Sequence, residues 1–106
     1  PDSFRHFWEE PHLFDVEGAE SFYELQNRAV AAVERIAEQH LEQQIAVVSH
    51  GALIKTILCH VENLPMSALW TPPHMHNCAH SIIRFSADGS KEIVQYADVA
   101  YANLDR

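Results

Sequence analysis

Basic side chains are scarce in this chain, and they do not cluster. Seven Lys and Arg stand against 15 Asp and Glu, a net charge of -8. A surface of that sign offers no basic stripe, which argues against nucleic acid or an acidic membrane as partner. Cysteine is also sparse. Cys59 and Cys78 follow no disulfide-framework spacing, so a reducing, cytoplasmic setting is expected. No apolar run approaches the roughly 18 residues that a bilayer-spanning helix needs. The opening Pro1-Asp2-Ser3-Phe4-Arg5-His6 lacks the apolar stretch of a signal peptide. There is no internal repeat and no low-complexity segment.

What is present suits one small globular domain: 106 residues, 47% of them hydrophobic. Residues 1–19 hold Phe4, Phe7, Trp8 and Phe14 between prolines, with no clean period. They read as a loop with a short helical turn, lying on a core that the segment does not form itself. Ser21-Phe22-Tyr23-Glu24 has the form of a capping box, in which serine and glutamate each satisfy a backbone N–H at the helix start. Apolar residues then recur at Phe22, Leu25, Ala29, Val33 and Ile36, predicting a one-faced helix of about five turns. Glu24 and Arg28 are spaced as an i,i+4 ion pair on it, and Glu20 beside the cap is expected to serve the helix N-terminus. Residues 52–62 predict a second helix, stopped by Asn63-Leu64-Pro65. Ser81–Phe85 and Ile93–Tyr96 flank Asp88-Gly89 and predict a hairpin.

The segment between the helices carries the chemistry. Ile45-Ala46-Val47-Val48-Ser49 is a short apolar run ending in His50-Gly51-Ala52. A strand apolar on both faces predicts a central, parallel position. Its end places His50 beside the N-terminus of a helix, where the Gly51 and Ala52 amides and the helix dipole favour an anion such as phosphate. Gly51 lets a ligand approach the backbone closely. A protonated His50 could donate to a phosphoryl oxygen as charge develops on it. On these residues alone, a strand-end histidine satisfied by a backbone carbonyl is an equal alternative.

From about Gly18 to Asn103 the sequence resembles the C-terminal half of the histidine phosphatase superfamily, with its phosphoglycerate mutase-like fold. The resemblance rests on Gly18-Ala19-Glu20-Ser21 entering a long helix, on Val47-Val48-Ser49-His50-Gly51, and on Asn77-Cys78-Ala79-His80-Ser81 leading into a strand. Tyr96-Ala97-Asp98 is a fainter echo of a closing Asn-Asp. The resemblance implies an α/β three-layer sandwich, a mainly parallel sheet with helices on both faces, incomplete in this chain. Residues 1–106 would be the C-terminal portion of a single domain. It also implies phosphoryl transfer through a phosphohistidine, without metal or cofactor, on a phosphorylated small molecule. His50 matches the second histidine of that mechanism, which flanks the transferring phosphoryl group.

The departure from the pattern is large. No Arg-His-Gly is present, and Arg5-His6 is followed by Phe7. The nucleophile, the family's arginines and its acid would lie on an N-terminal part. With the opening at Pro1 in place of Met, the expectation is a piece of a longer chain that is inactive alone. A binding or assembly module that keeps the fold without the nucleophile is the alternative from another class. His50-Gly51-Ala52, where mutases of the family continue His-Gly-Asn, favours a phosphatase over a true phosphoglycerate mutase. An apolar strand at 45–49 invites pairing, so a neighbouring strand is expected from that N-terminal segment or from a second copy of the chain.

His74, His76, Cys78 and His80 recur at every second position. In an extended segment they would share one face, with zinc-type side chains. Same-face neighbours about 6–7 Å apart do not close a tetrahedron around an ion, and no metal is assigned. The residues 65–79 read instead as a substrate loop, with His74, His76 and Asn77 as candidates to reach a bound molecule. Cys59 reads as an apolar filler of the second helix.

Overall fold

The computed structural model describes residues 2–106. The chain opens with helix α1 (Asp2–Glu9), followed by a 3-10 turn at Pro11–Leu13. The short helical turn expected in a loop there is a full two-turn helix. Phe4, Phe7 and Trp8 stand at i, i+3 and i+4, a helical spacing. Phe7 turns inward, while Phe4 and Trp8 remain largely open.

Helix α2 (Phe22–Gln39) begins at the capping box as expected: the Glu24 N–H donates to Ser21 Oγ at 3.1 Å, and the Ser21 N–H donates to Glu24 Oε1 at 3.0 Å. With its carboxylate so engaged, Glu24 does not pair with Arg28. Arg28 reaches back to Glu20, with Nε to Oε2 at 3.1 Å and Nη2 to Oε1 at 3.0 Å. That two-point pairing is the correction to both the i,i+4 pair and the helix-start role expected of Glu20. The inward face of α2 buries Phe22, Ala29 and Val30.

Helix α3 (Gly51–Val61) packs between α2 and a small sheet. Gln26 Nε2 donates to the Thr56 carbonyl at 2.9 Å, tying α2 to α3. Strands β1 (Ile82–Phe85) and β2 (Lys91–Tyr96) form the expected hairpin, in register Arg84 to Glu92, and β3 (Val99–Ala100) adds a short third strand to β2. The turn is set by Gly89 at φ +88° and by Asp88, whose Oδ1 accepts from the Ser90 N–H and hydroxyl. Leu58 on α3 meets Ile93 and Tyr96 on β2. Burying each such side chain is worth about 1.5–3 kcal/mol. A second cluster joins Phe22, Cys59, Met66 and Leu69 to the aromatic rings of Phe7, Phe14 and Trp70.

Two expectations about the sheet fail within this chain. All strand pairs among the described residues are antiparallel, so the mainly parallel sheet is not formed here. Residues 45–49 form no ladder with any described strand, and Val48 is 96% exposed. A strand exists only by its partner's hydrogen bonds, and residues 2–106 supply none at that place. No helix among the described residues is long and apolar enough to cross a membrane.

Candidate functional site

His50 is the N-cap of α3, in extended conformation at φ -89° and ψ 153°, and its side chain makes no capping hydrogen bond. The first turn of α3 therefore relies on the backbone for its open end, where four N–H groups lack intrahelical partners. Gly51 and Ala52 stand in that turn and line a cleft of about 260 Å³. Phe7 and Trp8 from α1, Trp70 and Met75 give it an aromatic and thioether wall. Trp70 Nε1 donates to the Phe7 carbonyl at 2.7 Å, which closes α1 against the 65–79 loop. The close approach expected at Gly51 is real, though the neighbour is protein: a Cβ there would lie 3.2 Å from the Cβ of Met75.

The loop candidates separate. His74 lines the cleft with Gly51 and Ala52. His76 turns to Asp98 instead, its Nε2 at 2.6 Å from Oδ2. Asp98 Oδ1 also accepts from the His80 N–H at 3.0 Å, and the Asp98 N–H donates to the His80 carbonyl at 2.8 Å. The hydrogen bond from His76, then that from His80, holds the Asp98 carboxyl below its ordinary pKa. Asn77 lies exposed in a turn beside Cys78, which has φ +62°. That left-handed residue breaks the alternation that would have aligned a metal row. No group of three metal-type side chains gathers among the described residues.

One residue at the cleft went unread in the sequence. Lys55 lines the same cavity and is 1% exposed. Its Nζ donates to the carbonyls of Thr71 at 2.5 Å and Pro73 at 3.2 Å, and to the Tyr96 hydroxyl. The signal was available: Leu58 and Cys59, three and four residues on, are among the most buried positions of α3. A lysine on that face must find partners inside.

A sequence profile of the histidine phosphatase superfamily, branch 1, matches residues 1–99. The chain belongs to this superfamily. The match takes in residues 1–17 as well as the segment from Gly18 onward. The chain is 31% identical over 71 residues to Phosphoserine phosphatase 1 of Hydrogenobacter thermophilus, covering 67% of this chain and 34% of that protein. Its structure matches Bacillus stearothermophilus YhfR with a TM-score of 0.89 at 33% identity, covering 94% of this chain and 49% of that one. The chain thus spans about a third of the curated relative and about half of the solved structure. Over that extent this histidine phosphatase superfamily member carries α2, α3 and the hairpin and has no Arg-His-Gly sequence.

Proposed function

We propose that this chain forms the second-histidine side of a phosphomonoester phosphatase site, acting through a phosphohistidine supplied by residues outside these 106. The observation that carries the reading is the N-cap position of His50 at the start of α3, whose first residues Gly51 and Ala52 line a cleft. A phosphoryl group at that end gains from the helix dipole and from free N–H donors. His50 stabilises charge on the transferring group, and His74 meets the substrate from the loop wall. The name of the Hydrogenobacter relative supports hydrolysis over mutase chemistry. Ala52 after His50-Gly51 agrees with that choice. The histidine that attacks phosphorus is absent from the chain, so the chain alone is expected to be inactive. The extended segment at 45–49 takes up strand pairing with that further segment or with a second copy.

The test is a tungstate soak of the natural protein that carries this chain. Anion density within hydrogen-bonding distance of His50 and the Gly51 and Ala52 amides is expected. An anion bound elsewhere, with His50 untouched, overturns the assignment. If the natural protein proves to contain no Arg-His-Gly segment, the reading as a binding module without hydrolysis replaces the enzymatic one.

A further inference from the structure

Lys55 presents three donors and meets three acceptors from two places in the fold: Thr71 and Pro73 in the loop, and Tyr96 on β2. An ammonium has three N–H bonds, so its inventory is complete. Pro73 directly precedes His74 and Thr71 stands three residues before it, and His74 and Met75 line the cleft with Gly51 and Ala52. The nitrogen also lies 4.8 Å from the centre of the Tyr96 ring. We propose that Lys55 is a positioning residue for this site: it holds the 71–75 segment against the amide end of α3, and Tyr96 holds the ammonium in turn.

The alternative is a lysine that merely fills the core. A methionine or leucine would fill it at lower cost, because burying an ammonium demands compensation that only fixed acceptors give. The acceptors here include two backbone carbonyls of the short segment that leads into His74. Burial lowers the Lys55 pKa to about 8, with Arg106 adding to the fall while Glu62 and Cys59 oppose it. Burial, then Glu62, raises the Cys59 thiol. Burial, then Glu62, lifts the Tyr96 hydroxyl far above its ordinary range, and burial followed by the Glu62 hydrogen bond raises Tyr101. Glu62 itself is tied to Arg106 and to the Tyr101 hydroxyl. When Lys55 loses its proton to solvent, the neutral amine keeps two N–H bonds for the carbonyls and accepts from Tyr96. The clamp then survives as neutral hydrogen bonds, weaker than charge-assisted ones.

The kinetic consequence rests on the proposed phosphatase reading; the geometry does not. NMR of the natural protein that carries this chain, with lysine side chains labelled, decides the geometry. The Lys55 Nζ signal is expected to titrate near pH 8, and the amide signals of His74, Met75 and Gly51 to shift with the same midpoint. His74→Gln removes any contribution of that imidazole to the loop signals. In Lys55→Arg the inflection disappears while the fold stays, and in Tyr96→Phe the midpoint falls because the ammonium has lost an acceptor. Loop amides that ignore the Lys55 titration, or that keep the same inflection in Lys55→Arg, overturn the proposal. In the natural protein, with 4-nitrophenyl phosphate as substrate, Lys55→Met is expected to raise KM about tenfold with kcat little changed, and Lys55→Arg to restore most of it. An unchanged KM in a folded Lys55→Met overturns the positioning role. Wild-type protein that hydrolyses no phosphomonoester defeats the phosphatase reading alone, because the NMR arm still decides the clamp.

Discussion

The carboxylate of Asp98 joins two parts of the loop that the sequence presents as one histidine row: it accepts from the His76 ring at 2.6 Å and from the His80 backbone at 3.0 Å. Asp98 has φ +72°, directly after Ala97 at φ +46°. The β2–β3 turn is therefore folded so that one aspartate fastens the end of the 65–79 loop. His76 is spent on that fastening, while His74 is left at the cleft.

A pH dependence follows from the sign of the Asp98 shift. Its folded-state pKa is depressed, first by His76 and then by the His80 amide. The contribution to stability is fully present above the unfolded carboxylate value of about 3.9 and is lost as pH falls through the lower folded value. Thermal unfolding across that acid range should show wild type losing its advantage over Asp98→Asn. A constant difference in Tm at every pH would mean that the carboxylate charge is not what fastens the loop.

The helix entry separates two kinds of polar contact. Ser21→Ala removes one side of a reciprocal cap and is expected to cost about 1 kcal/mol, or roughly 4–8 °C in Tm for a domain of this size. Glu20→Gln breaks a two-point pair with Arg28 that stands exposed to solvent, and its effect should be the smaller. Calorimetry of both variants checks the order. A Glu20→Gln loss exceeding that of Ser21→Ala would show that the ion pair, not the cap, secures the start of α2.

Local patterns were legible in the sequence, and long-range partners were not. The capping box, the apolar period of α2, the span of α3 and the Asp88-Gly89 turn depend on residues within a few positions of each other. The junction at Ser49-His50-Gly51 was legible for the same reason. Helix α1 was missed because only two turns are available to show a period, although Phe4, Phe7 and Trp8 do show it. Lys55 was passed over because its partners lie 16, 18 and 41 positions away. Arg28 chose Glu20 over Glu24 because the cap had already claimed Glu24. Residues 45–49 read as a buried strand from composition, and pairing is the one property that a segment cannot hold by itself.

Leu58 tests how far α3 depends on the hairpin. It is 0% exposed and packs on Ile93 and Tyr96. Leu58→Ala should cost about 2–5 kcal/mol, the range for a truncated core leucine whose surroundings relax only in part. Urea unfolding measures it. A loss below about 1 kcal/mol would mean that the sheet contributes little to the stability of α3, and that the helix is held by α2 alone.

The exposed apolar segment makes the sharpest prediction about the isolated chain. Ile45, Val47 and Val48 are 46%, 53% and 96% exposed, and they sit in backbone without a ladder. Unpaired, extended apolar backbone is a template for another strand. The purified 106-residue chain should therefore associate with itself through this segment. Val48→Lys places a charge on the most open side chain of the segment, where a lysine costs the folded chain little and opposes strand addition. Sedimentation equilibrium should show the variant shifted towards monomer, with unchanged helix content by circular dichroism. A wild-type chain that is monomeric and unfolds cooperatively would show that residues 45–49 need no partner, and the expectation of a strand beside them would fall.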